Sequence, residues 1–440
     1  MPKAIIKQRD LARSSACANN LKMIGLAFHN YHSAYKQLPA GTGGTTGNDD
    51  PAKSNQGMLG PLVGILPFAE QQALWEQISN PSMDAKSGTV FPSMGPIPLF
   101  DETVYKPWSR GPDLYRCPDA GPAKAGGAAP VIHSLEAPLG SGTVHANYVA
   151  CYGDGTFMQG EIAFGNLTND VAQRRMASNR GAFMTSKEMK FRDFLDGLSN
   201  TIMFSETVAG GDQNPQKSQI IRDVVGLSKV PALCLRTASK GQPQFWSFNR
   251  GARWCDGRPV YTGFQTVLPP NSPSCTSELG IDDPIVSASS THAGGVQVLM
   301  ADGAVVFISD SIDAGDSTKG GVAIGEGYSR PGDQSPYGLW GALGSRASKE
   351  IVDGARRDFV AVQTGQSPLN FSAPSRANLS VWTDRKTKTR LRAEFLEIRD
   401  KNTIRLKHSS GSIHEVPLQS LEPADVYRAI EMDVLRGGNK

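Results

Sequence analysis

The sequence predicts an α+β protein: a long N-terminal helix packed on a sheet of a turn-rich, β-heavy body, and a small barrel-like C-terminal module. Three observations carry this. Cys17, Leu21, Ile24, Phe28, Tyr31 and Tyr35 recur at steps of 4, 3, 4, 3 and 4, one apolar stripe on a helix. Two apolar, β-branched runs from Val296 to Ile308 flank Asp302-Gly303, a pair that favours a hairpin turn. Beyond residue 380 the texture changes to short alternating runs separated by turn residues.

The helix is expected over about residues 4–37, where Pro39 and Gly41 stop it. Its stripe must bury against something, and a sheet is the natural partner. A second helix is expected from Pro67 to Ile78, with Glu70, Gln71, Gln72 and Glu76 as its polar positions. Between about 80 and 185, Gly, Pro, Ser and Thr break the chain into loops and short strands. Asn147 to Cys151 and Thr201 to Phe204 are strand candidates. The Val296–Ile308 hairpin is apolar on both faces, as a central, doubly covered strand pair requires.

Length and composition agree with this organisation. At 440 residues the chain exceeds one typical domain. A first domain over 1–362, with a β-rich head to about 350, is followed by a linker at 363–379 and a module at 380–440. In the module, Val381-Trp382, Ala393 to Ile398, Thr403 to Leu406 and His414 to Val416 alternate like strands, and a helix from about Pro423 to Leu435 ends it. A net charge of +3 with both signs dispersed gives no nucleic-acid footprint, which needs clustered Lys and Arg. No apolar run reaches the roughly 20 residues of a spanning helix.

Chemistry-bearing residues are few. No G-x-S-x-G elbow, H-E-x-x-H, P-loop or G-x-G-x-x-G occurs, so no enzymatic activity is expected. A two-residue turn at Asp302-Gly303 would place His292 opposite Asp313, an imidazole–carboxylate pair without a third partner. Asp310, Asp313 and Asp316, three apart in a loop, offer oxygens suited to calcium. No other cofactor is expected. His29 and His32, one helical turn apart, read as packing residues or as two ligands of a metal.

Six cysteines without any C-x-x-C spacing argue against zinc knuckles and for an oxidising compartment. Connectivity is open, since six cysteines allow fifteen full pairings. Cys234 with Cys275 is the favoured bridge, both lying in the loop-rich stretch before the hairpin, and Cys117 with Cys151 is a second candidate. Cys17, on the buried stripe, is either a core residue or bonded to the body.

Several stretches, in order, resemble the bacterial family called domain of unknown function 1559. They are Cys17 to His32 (CANNLKMIGLAFHNYH), Leu66 to Trp75 (LPFAEQQALW), Leu114 to Asp119 (LYRCPD), Asp196 to Thr201 (DGLSNT) running on to Glu206, and Pro269 to Cys275 (PPNSPSC). The family's hallmark, a His ten residues before Asp-Gly, is met by His292, Asp302 and Gly303. The resemblance covers about residues 10–350 and implies a type IV pilin-like or pseudopilin-like architecture, as in type II secretion: a long N-terminal helix packed on an antiparallel sheet and carrying a large elaborated head. It further implies a place in the cell envelope, periplasmic or extracellular, with other pilin-like subunits or secretion machinery as partners. Met1 to Arg13 looks like the stretch that follows such a family's apolar anchor. Membrane attachment is therefore expected only through a segment absent from this chain.

Trp382-Thr-Asp384, Ala393-Glu-Phe395, Ile404-Arg-Leu406 and Val416 to Leu421 resemble the Sla-one homology domain, an SH3-like barrel. That resemblance implies a peptide or protein ligand for the tail. The leading expectation is a non-enzymatic pilin-like structural or assembly protein with an adaptor tail. The alternative is an extracellular solute- or polysaccharide-binding protein.

Overall fold

The computed structural model describes residues 3–100, 104–119, 144–160, 169–209, 214–278, 280–348, 359–361, 380–384, 390–399, 403–408, 412–417 and 420–421. The chain divides into two compact units, Met1–Ser329 with Gln334–Val362, and Arg330–Asp333 with Gln363–Lys440.

In the first unit, helix α1 spans Lys3–Tyr35. It stops where Lys36 takes a left-handed φ of 60° ahead of Pro39. Cys17, Ala18, Leu21, Ile24, Ala27 and Phe28 are buried along one face, as the stripe predicts. The stripe fades at its end, where Tyr35 is 56% exposed and only leans on Tyr31 and Phe68. The second expected helix is divided. Leu66–Ala69 forms a 3-10 turn, Glu70 takes φ 59°, and the α-helix runs only over Gln72–Ser79.

Under α1 lies a six-stranded sheet. Its order is Phe359–Ala361, Val305–Ser309, Gly295–Met300, Ile202–Glu206, Tyr148–Cys151 and Gly263–Phe264. Every pairing is antiparallel except the last, where Ala150 pairs with Gly263 in parallel. Strand alternation sends successive residues to opposite faces. Leu299, Ala301, Tyr148 and Ala150 join the core that α1 covers. Val296, Val298, Met300, Val149 and Cys151 join a second core with Trp340 and Leu343 from the Gly338–Gly344 helix. Both faces of the central strands are thus covered, which explains their unbroken apolar sequence.

The hairpin forms where expected, but its turn differs. Val296 pairs with Ile308 and Leu299 with Val305. Gly303 N–H donates to Met300 O, and Met300 N–H donates to Ala304 O. The loop is therefore three residues, Ala301-Asp302-Gly303, with positive φ at Gly303 alone (90°). Asp302 contributes through its side chain, whose Oδ1 accepts the Ala304 N–H at 2.9 Å.

A second sheet in this unit orders Phe245–Asn249, Gln219–Ile221, Ser274–Ser277 and Gly280–Ile285. The Cys234–Cys275 disulfide ties the Ala232–Ser239 helix to it, as expected. The bridge proposed between Cys117 and Cys151 does not form. Cys117 bonds Cys17, and Cys151 is a free buried thiol. The reason is strand alternation: Cys151 points to the Trp340 side, away from α1 and its Cys17.

The second unit contains a four-stranded antiparallel meander, Ser380–Thr383, Arg390–Arg399, Thr403–His408 and Ile413–Pro417. A bulge interrupts the pairing between Phe395 and Glu397. Ala393, Ile404, Leu406 and Leu421 are buried, and Leu421 bridges back to Asp384 beside the first strand. The expected linker at 363–379 and the helix expected at Pro423 to Leu435 lie outside the described residues. Among the described residues, no helix is long and apolar enough to cross a membrane.

Candidate functional site

Four segments far apart in sequence converge at the edge of the α1-covered core. Cys17 comes from α1, Cys117 from the turn after Asp113–Tyr115, Glu206 from the end of its strand, and His292 from the loop entering the hairpin. Each element is held. Asn147 accepts the Cys117 N–H through Oδ1 at 3.1 Å and donates to Thr207 O at 3.0 Å. Asn20 on α1 donates to Arg116 O at 2.9 Å, and Tyr148 donates its hydroxyl to Cys17 O at 3.2 Å. The backbone N–H of His292 donates to Ser290 Oγ at 3.1 Å.

The disulfide Cys17–Cys117 is the floor of this cluster, joining residues 100 apart in sequence. His292, its side chain 9% exposed, sits against it with Nε2 3.8 Å from Cys117 Sγ. The same nitrogen is 3.9 Å from Glu206 Oε1, and Nδ1 is 3.6 Å from Asp119 Oδ2. Asp119 in turn accepts a 2.9 Å bond from Arg13 Nη1. Glu206 is 3% exposed. Its Oε2 accepts the Gln297 N–H at 3.0 Å, while Oε1 has no hydrogen-bond partner among the described residues. Burial pushes the Glu206 carboxyl above the usual carboxylate range, against the lowering effect of the Gln297 N–H, the nearby imidazole and the Ser290 hydroxyl.

The other sequence candidates are dispersed. His292 does not face Asp313. It precedes the strand, and the three-residue loop pairs Gly295 with Ser309 instead. Asp302 and Gly303 lie at the far end of the Gly295–Met300 strand, roughly 17 Å of extended chain away. Gly303 faces His29 instead: a Cβ at position 303 would stand 3.7 Å from His29 Nε2. His32 stacks on Phe191 with ring centroids 4.2 Å apart and accepts the Phe191 N–H through Nε2, and His29 meets the same ring tilted at 4.7 Å.

Asp310, Asp313 and Asp316 serve separate local turns. Asp310 accepts from Asn271, Asp313 from Gly315 N–H and Asp316 from Thr318. They do not gather into one ligand set. Glu206 and Asp119, the two acidic neighbours of His292, carry no local spacing signal. They are visible in advance only as members of the stretches Leu114–Asp119 and Asp196–Glu206.

The fold and this cluster define a class: an α+β protein whose long N-terminal helix covers a sheet and is tied by a disulfide to the loop after Asp113–Tyr115, a bond that persists in oxidising compartments. Residues 7–315 match the family described as Protein of unknown function (DUF1559). That span is more than half of the 440-residue chain, and the chain belongs to this family. No curated protein and no solved structure matches it.

Proposed function

We propose that the chain is a non-enzymatic, pilin-like structural or assembly protein of the bacterial cell envelope, with a protein-binding C-terminal module. The observation that carries this reading is α1. From Cys17 onward it lies on an antiparallel sheet, while 14 residues of helix, about 21 Å, precede that point. Among the described side chains of that leading part, Ala12, Arg13 and Ser15 are exposed. A long helix of which one part covers a sheet, with Ala12 and Ser15 exposed ahead of it, suits packing against other copies. Two disulfides fit the oxidising setting of an envelope protein. In the second unit, the meander and the Asp384–Leu421 bridge support reading the tail as an SH3-like adaptor for a peptide or protein.

The test is crosslinking through single cysteines placed at Ala12 or Ser15 in cells producing the protein. A ladder of crosslinked copies in the envelope fraction is expected. A monomer in that assay, together with a saturable thermal shift from an added solute or polysaccharide, supports the solute-binding alternative instead.

A further inference from the structure

We propose that Cys17, Cys117, Glu206 and His292 form a zinc site when the disulfide between the two cysteines is open. The cluster then has two closed states, a disulfide and a metal dithiolate. This goes beyond the assembly role and does not rest on it.

Four potential donor side chains already converge. One donor atom from each of the four side chains lies within 4.8 Å of all the others. With Zn–S about 2.3 Å and Zn–N about 2.0 Å, tetrahedral donors stand roughly 3.3–3.8 Å apart. Cys117 Sγ to His292 Nε2 at 3.8 Å and Nε2 to Glu206 Oε1 at 3.9 Å are close to those edges. Opening the disulfide must part the two sulfurs to a similar separation.

Glu206 supplies an independent observation. One of its oxygens is anchored by Gln297 N–H, and the other, buried and without a hydrogen bond, faces His292. A buried acceptor left without a partner carries a desolvation cost that a cation would relieve. Asp119 completes the pattern from the opposite side of the ring, on Nδ1, where a carboxylate orients a metal-binding imidazole and leaves Nε2 free for the metal. Thiolate and imidazole donors favour zinc over calcium or magnesium.

The chemistry balances with a dithiol reductant. The dithiol passes two electrons and its two protons to the S–S bond and leaves as its own disulfide, giving two protein thiols. Zinc then displaces one proton from each thiol and binds the two thiolates, with the neutral imidazole and the Glu206 carboxylate as the remaining donors.

The test uses the full chain, reduced with a phosphine under exclusion of air and titrated with cobalt(II) as the probe. One cobalt per chain with thiolate-to-metal charge-transfer bands is expected, bleached by one equivalent of zinc. The oxidised chain should show no such bands. Asp119→Asn should weaken binding about 10- to 100-fold, and His292→Gln should abolish the saturable bands, whereas Cys234→Ala should change nothing. In the unsubstituted reduced chain, zinc should shield Cys17 and Cys117 from alkylation, mapped by peptide mass, which locates the metal even if a variant misfolds. Absence of the bands, or protection falling on other cysteines, overturns the proposal.

Discussion

Gly25 of α1 and Leu299 of the central strand meet so closely that a methyl group on Gly25 would stand 2.8 Å from Leu299 Cδ1. Leu299 is fully buried, so its side chain has little room to withdraw. Glycine inside a helix normally costs about 1 kcal/mol relative to alanine. Here it sets the distance at which the helix can lie on the sheet.

Gly25→Ala should therefore destabilise by about 1–2 kcal/mol through overpacking, opposite in sign to its effect on helix propensity. Leu299→Ala should cost about 2–5 kcal/mol by opening a cavity. The double variant should lose less than the sum, because the shortened side chain makes room for the new methyl. Urea unfolding of the four proteins measures this. A stabilising Gly25→Ala would show that α1 can lift off the sheet without penalty.

The hairpin loop separates two residues that the sequence presents as a unit. Asp302→Ala removes the bond to Ala304 N–H and should cost about 1 kcal/mol. Gly303→Val should cost more, because a β-branched residue is strained at φ 90° even though the nearest atom to a new Cβ is 3.7 Å away. Equal melting temperatures for Gly303→Val and the parent would refute a backbone requirement there.

Two buried groups give opposite pH dependences. Burial pushes Asp283 up to about 6 from its ordinary 3.8, despite the Met158 N–H bonded to it at 2.5 Å. Between those values the native state holds a proton that the unfolded chain has lost. Its contribution is therefore full below about pH 4 and is lost as pH rises through about 6. Burial, with Arg116 nearby, pushes His145 down to about 4 from 6.5. Its contribution is full above about pH 6.5 and is lost as pH falls through about 4. Asp283→Asn should gain about 1–3 kcal/mol at neutral pH and steepen the acid loss. His145→Gln should flatten that loss. Stability measured by urea at several pH values separates the two, and identical slopes for both variants would contradict the assignment.

What the sequence reveals depends on how local the signal is. The α1 stripe is legible because burial along one helix face imposes a 3–4 residue spacing, from Cys17 to Phe28. Tyr35 breaks the pattern only because the helix ends beyond its support. Asp-Gly marks the hairpin but fits both a two- and a three-residue loop, and the strand register with the Met300 N–H bond to Ala304 O decides for three. The cluster around His292 has no local signature. Its members are separated by 86 to 100 residues or more, from Cys17 to Cys117 to Glu206 to His292, and meet only through the sheet.

The disulfides give a prediction that distinguishes the observed pairing from every other. Cys151 and Cys255 are buried and outside any disulfide, whereas Cys17–Cys117 and Cys234–Cys275 are bridged. Alkylation after unfolding without reductant should label two thiols, and peptide mapping should place both labels on Cys151 and Cys255. Burial also pushes the Cys151 thiol up to about 12, so it should resist alkylation in the folded protein at neutral pH. The bridges should differ in their effect on stability. In the chain-entropy account, closing a loop of about 100 residues contributes about 4.7 kcal/mol, against roughly 4 kcal/mol for the 41-residue separation of Cys234 and Cys275. Cys17→Ser should also release α1 from the Cys117 loop, so hydrogen exchange should quicken in α1 around Cys17 more than in the Ala232–Ser239 helix. Uniform quickening across both helices would mean that the Cys17–Cys117 bridge acts on the unfolded chain alone, and that α1 is held to the sheet by its apolar face without it.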